Sequence, residues 1–536
     1  MARPLLFWLF HMPTIPRGRR IVILALSVLL GAASPGAHAV TAPWIDPGDR
    51  LLRRDIELLK AYGLIDGPIA TWPLSWKQIQ RSLSEAEPEK PVPDHVAMAL
   101  ERVRLQMPDA REFPGISAIA STGFTNEARL IRDFGGGARS EADVRVGLQG
   151  VAGRFFVRLS AGYRNDNPTG RDFHFDDSVV AMALDNWLFY AGTINQWYGP
   201  AMDSALILST NARPSPRVGF QRLDPKRIEW PVLRWLGPVQ FNFTASLGED
   251  GRDDFDHPLL FWMRLSLEPI DGFTLGLSRG LQICGEGRRC NGDTLIDAFF
   301  AATPITDDLD NTGDVFGVDE PGNQLFGIDM AYADRWGPVD YKLYLESAAE
   351  DSTGPVAFGA ATLTLGGHLS GHWHDWGLSW KLRGEASDTQ TNRFFGLGDN
   401  DRPGIAYNNF VFTEGYTYRD RFLGPTIGGD GRLFTGELSL VDLASRHYYL
   451  RYRHIVLNAT GLEPRNALQE PTDRIQFGNR LSQTPERINS VAAGVQLPPN
   501  RFGRLTFEAR LFDDEPNTPG RTSFQGAFEM RWEMGF

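Results

Sequence analysis

The sequence predicts a mainly β protein: a transmembrane antiparallel β-barrel of about 18 strands with a small N-terminal α-helical bundle. Three observations carry that prediction. Apolar and polar side chains alternate with period two in segment after segment from about Ile116 onward. Short turns alternate with long polar connections. The first forty residues have the form of an export leader. In a membrane barrel one face of each strand meets lipid and the other a wet lumen, so a spanning segment is only half apolar. The composition, 42% hydrophobic and 22% charged over 536 residues, therefore fits such a barrel as well as it fits a soluble protein.

The leader comes first. Arg17, Arg19 and Arg20 form a positive n-region, Ile21 to Ala33 is an apolar run, and Ala37-His38-Ala39 has the small-x-small form of a cleavage site. These features predict a signal peptide over residues 1–39 rather than a membrane anchor, because the run is too short to span a bilayer comfortably. The n-region is long, and Met12 is an alternative start. Cleavage would remove Arg3, Arg17, Arg19 and Arg20 and no acid, taking the net charge from −12 to −16. That balance argues against a general nucleic-acid binder and leaves a cation-attracting lumen or surface open. Cys284 and Cys290 lie close together in CGEGRRC. In an exported chain they predict one small loop-closing disulfide, and without nearby His they cannot close a zinc site.

Residues 40–113 read as helical. Leu51, Leu52, Ile56, Leu59 and Tyr62 form one stripe at helical spacing, and Gly63 stands where that helix would stop. Ser75 is placed to cap a second helix carrying Ile79 and Leu83. A third, from about Pro93 to Met107, carries Val96, Leu100, Val103 and Met107. The segment predicts either a small helical bundle or a periplasmic plug under a barrel.

The barrel domain follows as residues 114–536. Its last strand sets Phe524, Gly526, Phe528, Met530, Trp532, Met534 and Phe536 against Gln525, Ala527, Glu529, Arg531 and Glu533. This looks like the C-terminal assembly signal of outer-membrane barrels, with Trp532 and Phe536 as its aromatic anchors, and it makes barrel-assembly machinery and outer-membrane lipid expected partners. The same alternation runs through Val239–Gly248, Val339–Glu346, Leu378–Glu385 and Leu505–Leu511. Short connections at 152–153, 185–186, 236–237, 270–271, 336–337, 372–375, 444–445 and 498–502 predict periplasmic turns. Longer ones at 126–141, 165–177, 196–226, 249–257, 284–323, 349–359, 388–433, 458–486 and 514–521 predict external loops. Nine loops and eight turns join 18 strands, enough for an aqueous lumen unless something fills it.

Two blocks carry a resemblance. Leu52 to Ile79 contains Arg54-Asp55-Ile56, Leu59, Tyr62-Gly63-Leu64-Ile65 and Thr71-Trp72-Pro73-Leu74-Ser75-Trp76. The second is Trp197-Tyr198-Gly199-Pro200, then Leu206-Ile207-Leu208-Ser209, Asn211-Ala212, Pro214 and Pro216. Both resemble the capsule assembly protein Wzi family. The resemblance implies an 18-strand outer-membrane barrel that attaches capsular or related extracellular polysaccharide to the cell surface, a lectin-like role and not an enzymatic one. It implies no cofactor.

Sugar binding needs aromatic faces and polar groups that take hydroxyl hydrogen bonds. Loop 388–433 offers Phe395, Asp399, Asp401, Tyr407 and Tyr416, and the second block offers Trp197, Tyr198, Ser209, Asn211 and Arg213. Long surface loops are polar in general, so such composition alone does not make a site. Pro200, Pro214 and Pro216 cannot donate to a ladder, which predicts that this block leaves the wall and folds over or into the lumen. Asp308, Asp310, Asp314 and Asp319 roughly follow calcium-loop spacing, with Asp where the bidentate Glu is usual. No hydrolase, zinc-protease or nucleotide motif is present. The competing functional reading is an outer-membrane porin or substrate-selective channel.

Overall fold

The computed structural model describes residues 42–86, 92–108, 115–165, 172–288, 290–300, 322–350, 360–391, 393–397, 404–409, 411–461, 479–482, 484–500, 502–513 and 524–535. The expected leader 1–39, the calcium-like Asp308, Asp310, Asp314 and Asp319, the loop acids Asp399 and Asp401, and Phe536 lie outside the described residues.

The wall begins with β1 (Gly115–Thr125), β2 (Ala142–Ala152), β3 (Phe155–Arg164), β4 in two pieces (Phe173–His174 and Val179–Leu184), β5 (Trp187–Gly192) and β6 (Arg217–Arg222). It continues with β7 (Val239–Leu247), β8 (Leu259–Ile270), β9 (Phe273–Ile283), β10 (Gly322–Trp336), β11 (Val339–Glu350) and β12 (Ala360–Trp373). It ends with β13 (Leu378–Asp388), β14 (Arg432–Val441), β15 (His447–Leu457), β16 (Glu486–Gln496), β17 (Arg504–Asp513) and β18 (Phe524–Gly535). Sequence neighbours pair antiparallel throughout, and β18 returns to β1 with Glu529 opposite Thr125 and Gly535 opposite Ile119. Closure leaves no unpaired edge, the condition for strands to cross lipid.

The two faces differ as the alternation requires. On β3, Phe155, Val157 and Leu159 are exposed while Arg158 and Ser160 are buried. On β14, Phe434 and Leu438 point out and Thr435, Glu437 and Ser439 point in. An apolar exterior around a charged interior inverts the soluble pattern and fits a lipid surround. The short-turn end carries exposed Trp230, Trp235, Trp336 and Trp376, residues suited to a membrane interface.

One connection departs from the sequence prediction. The stretch 227–235 was expected to be wall, following a loop over 196–226. Instead β6 lies at Arg217–Arg222, and residues 223–238 form the turn to β7. Pro225 and Pro231 lack the N–H a ladder needs, whereas Arg217 to Gln221 pair on both sides, with β5 and β7.

The N-terminal helices are α1 (Arg50–Ala61), α2 (Trp76–Glu85) and α3 (Asp94–Gln106). Asp49 caps α1 by accepting from Leu52 N at 3.0 Å, and Ser75 caps α2 through Lys77 N at 3.2 Å. The apolar stripe of Leu52, Ile56 and Leu59 packs against Ile79, Val96, Ala99 and Val103. The polar face of α1 is buried too. Arg50 meets Glu437 at 2.9 Å, Arg54 donates to Ser379 at 2.9 Å, and Lys60 meets Glu268 at 2.7 Å. Glu57 takes Lys342 at 2.8 Å and Lys381 at 2.6 Å. All these partners are inward-facing strand residues, so α1 lies inside the lumen at its short-turn end and is not part of a freestanding bundle. Burial alone would raise the Glu57 carboxyl, but the charges of Lys342, Lys381 and Arg53 outweigh it and hold the group well below its usual range. Beside α1 remains a cavity of about 20 Å³ lined by Glu57, Lys60, Lys342 and His368, room for about one water.

Candidate functional site

The lumen is filled from the long-loop end as well. After β5 the chain leaves the wall and runs inward over residues 193–216. Trp197 and Tyr198 pair with Trp72 and Thr71 in a two-residue antiparallel ladder, which ties this inner segment to the helical plug. Two wall carboxylates then hold the turn that follows. Glu346 accepts from Ala201 N at 2.7 Å and Leu206 N at 3.2 Å. Glu385 accepts from Met202 N, Asp203 N and Ser204 N at 2.7, 2.8 and 3.2 Å, and from the Tyr344 hydroxyl at 2.6 Å. Gly199 has φ +113°, and a Cβ there would lie 2.2 Å from Glu346 Oε1, so only glycine lets the carboxylate approach.

Above α1 runs a continuous network of opposite charges. Asp133, on loop 126–141, is shared by Arg50, Arg451 (3.2 Å) and Arg453. Asp203, on the inner segment, is shared by Arg383 and Arg453. Glu437 joins Arg50 to Arg451 (3.4 Å), Glu508 joins Arg451 (2.8 Å) to Arg129 (2.9 Å), and Glu529 takes Arg129 at 2.6 Å. Burial raises the Asp133 carboxyl, but Arg50, Arg453 and Arg451 outweigh it and hold it well below the ordinary carboxylate range. The network links wall, plug, loop 126–141 and the inner segment 193–216, and local sequence gives no sign of it, because its partners lie far apart in the chain.

The residues singled out from sequence are brought together, but inside this filling. Trp197 is fully buried and donates from Nε1 to Ala201 O at 3.0 Å. Tyr198 is buried, its hydroxyl on Asn242 at 2.5 Å. Ser209 Oγ donates to Gly424 O at 2.5 Å, and Asn211 Nδ2 to Phe422 O at 2.9 Å, stitching residues 209–211 to 422–424. Tyr407 and Tyr416 are fully buried; the Tyr407 hydroxyl meets Thr362 at 3.1 Å, and that of Tyr416 donates to Ile207 O at 3.2 Å. Burial pushes both phenols up. With their rings enclosed by protein, these four aromatics hold the filling together and offer no open face to a sugar. Phe395 lies apart, half-buried with φ +54° and its ring 5.7 Å from Phe434. Arg213 is half-buried on Asp176 at 3.0 Å. Cys284 and Cys290 are joined, with Cα atoms 5.1 Å apart, just before the short helix α4 (Gly292–Phe300). Trp532 donates from Nε1 to Phe502 O at 2.5 Å.

The outer rim is held by groups the sequence reading passed over. Arg252 meets Asp254 at 2.7 Å and Glu249 at 3.5 Å, and donates to the carbonyls of Thr417 and Gly415 at 3.3 Å each. It thereby locks loop 248–258 to the inward-folded 404–431. Arg288 lies over both Phe255 and Phe412, at 5.0 and 5.2 Å, and brings in the disulfide hairpin. Polar groups left at the rim include Asp250, Asp253, His257, Glu286 and Arg419. Among the described residues no group of three or more His, Cys, Asp or Glu is placed to hold a metal ion. Chemically this is a closed barrel with a filled lumen, and its described rim loops are joined to one another by polar contacts.

Comparison with known proteins agrees with this layout. The sequence profile of a family described as "Capsule assembly protein Wzi" matches residues 110–509. A protein of Klebsiella pneumoniae, an uncharacterized 55.8 kDa protein in the cps region, is 30% identical over 457 residues covering 82% of each chain. The solved structure of Wzi of Escherichia coli superposes with a TM-score of 0.74 at 21% identity, covering 92% of this chain and 100% of that one. That protein is described as an outer membrane protein involved in group 1 capsule assembly and a carbohydrate-binding β-barrel.

Proposed function

The chain belongs to the capsule assembly protein Wzi family, and on that premise we propose that it attaches and organises capsular or related extracellular polysaccharide at the outer face of the outer membrane. The observation that carries this reading is the filled lumen. α1 occupies it from the short-turn end, and residues 193–216 and 404–431 occupy it from the other. A barrel built this way acts through its loop face and not through a pore, which sets the attachment reading above the channel. The E. coli relative's description as carbohydrate-binding supports the same role here. The role calls for binding and no bond-making step, so the protein is read as a binding protein and not an enzyme. Its partners are the polysaccharide outside, lipid around the wall, and the barrel-assembly machinery during insertion.

The test is retention of polymer by the purified chain in detergent, immobilised on a sensor surface. Exopolysaccharide isolated from the source bacterium's medium should be retained saturably, and dextran should not. No retention of the bacterium's own polymer would contradict the attachment role.

A further inference from the structure

The arginines at the long-loop end fall into two groups. Arg129, Arg451, Arg453 and Arg383 are matched by carboxylates in the network above. Arg132, Arg139 and Arg421 are not: among the described residues none of the three makes an ion pair. Their partners are backbone carbonyls. Arg139 donates to the carbonyls of Thr210 (2.8 Å), Asn211 (2.8 Å) and Ala212 (2.9 Å). Arg132 donates to Thr210 O at 3.4 Å and to Gly137 O. Arg421 reaches Leu130 O at 3.2 Å and Arg129 O at 3.4 Å. Arg132 and Arg139 thus converge on one carbonyl, that of Thr210, and Arg421 borders them through the same 126–141 loop.

The neighbouring acids are already engaged. Asp176 is held by Arg164 at 2.8 Å and Arg213 at 3.0 Å, and Glu529 by Arg129 at 2.6 Å. Asp420 precedes Arg421 but makes no ion pair with it among the described residues. Like charges brought together away from water disfavour one another. Burial first, then the charges of Arg139, Arg421 and Arg164, draw Arg132 well below the usual guanidinium range; burial and Arg164 draw Arg139 down to about 9. A chain of net charge −12 has acid to spare, and it places carboxylates through the network above; Arg54, Arg217 and Arg510 also make no ion pair among the described residues, and what sets this place apart is that three such guanidiniums lie together. Here it supplies carbonyls that hold the guanidiniums in place without neutralising them. Arg132 is buried, while Arg139 and Arg421 are half-buried.

We propose that Arg132, Arg139 and Arg421 form an anion-binding subsite that takes the carboxylates of an acidic extracellular polysaccharide. The inference rests on the attachment role proposed above and adds the chemical class of the polymer. A planar guanidinium fork matches a carboxylate in two parallel hydrogen bonds. The cluster lies within the loop layer on the 209–212 segment, turned away from the lipid-facing wall, which favours a glycan carboxylate over the phosphate of a lipid headgroup.

The experiment extends the retention assay to two forms of one polymer: the bacterium's own exopolysaccharide, native and after carbodiimide-mediated reduction of its carboxylates to alcohols. The wild-type chain should retain the reduced polymer roughly tenfold more weakly, the scale of one lost charge-assisted contact. Native-polymer binding should fall steeply with added salt. Arg421→Gln, which gives up only two long hydrogen bonds, should weaken native binding to about the level of the reduced polymer and leave reduced-polymer binding unchanged. Arg421→Lys should restore part of the loss. Equal retention of both forms by the wild type would overturn the subsite and leave the attachment role standing. So would a polymer that carries no carboxylate, or an Arg421→Gln chain that loses both forms alike. Retention of neither form would remove the attachment role itself, and the subsite with it. Because the wild-type comparison needs no variant, a variant that fails to fold leaves the test intact.

Discussion

Asp133→Asn is expected to lower the unfolding free energy by about 3–5 kcal/mol, the range for removing one partner from a buried ion pair. The substitution preserves volume and leaves an amide oxygen for the Gly135 N–H, which Asp133 now accepts at 2.8 Å. What it removes is the charge shared by Arg50, Arg451 and Arg453. Glu437, Glu508 and Asp203 would then be left to face those cations. The effect should show in urea unfolding of the detergent-solubilised barrel, followed by the shift in gel migration between folded and unfolded forms. The pH dependence has a definite sign. The Asp133 carboxyl lies below its unfolded value, so its contribution is complete above an unfolded pKa of about 4 and is lost as pH falls below that. The variant should therefore differ from wild type throughout pH 5–8 and converge with it in stronger acid. A variant as stable as wild type at pH 7 would show that the network does not hold plug to wall.

Replacing both Glu346 and Glu385 with Ala is expected to turn a closed barrel into a conducting one. These carboxylates accept five backbone N–H groups of residues 201–206, and the Tyr344 hydroxyl besides. Each buried N–H left without a partner costs roughly 1–3 kcal/mol, so the turn has little reason to keep its place once both acceptors are gone. Water follows the freed backbone. In planar bilayers the wild type should show no steady open level, whereas the double variant should show one, with stability reduced alongside. A double variant as silent and as stable as wild type would mean that something other than these carboxylates seats the inner segment.

Much of the wall is legible in the sequence because its signal is local. Alternation on β7, β11, β13 and β18 can be read residue by residue, and the turns at 185–186, 270–271 and 336–337 fall where they were expected. β6 was displaced because proline punctuation in 214–238 marks both the end of the inner segment and the following turn, leaving only six residues of strand between them. The prolines of 200–216 correctly pointed the chain into the lumen. A plug was one of the two readings that the sequence of residues 40–113 offered, but the contacts that seat α1 in the lumen were hidden. Arg50, Arg54 and Glu57 have the look of a solvated helix face, and only partners hundreds of residues away on the wall make that face interior. The burial of Tyr407 and Tyr416 was hidden for a related reason. Composition shows that Tyr407 and Tyr416 can stack on a sugar, but not that Trp262, Ile207 and Phe422 already surround them. Nor could Arg132, Arg139 and Arg421 be told from ordinary loop arginines until their carboxylates were seen to be missing.

The attachment role is tested most directly by deleting the gene in the source bacterium and measuring polysaccharide in the cell-bound and medium fractions. The account predicts that total polymer stays unchanged while a large share moves from cells to medium, and that the wild-type gene supplied in trans brings it back. An unchanged distribution between cells and medium would contradict it.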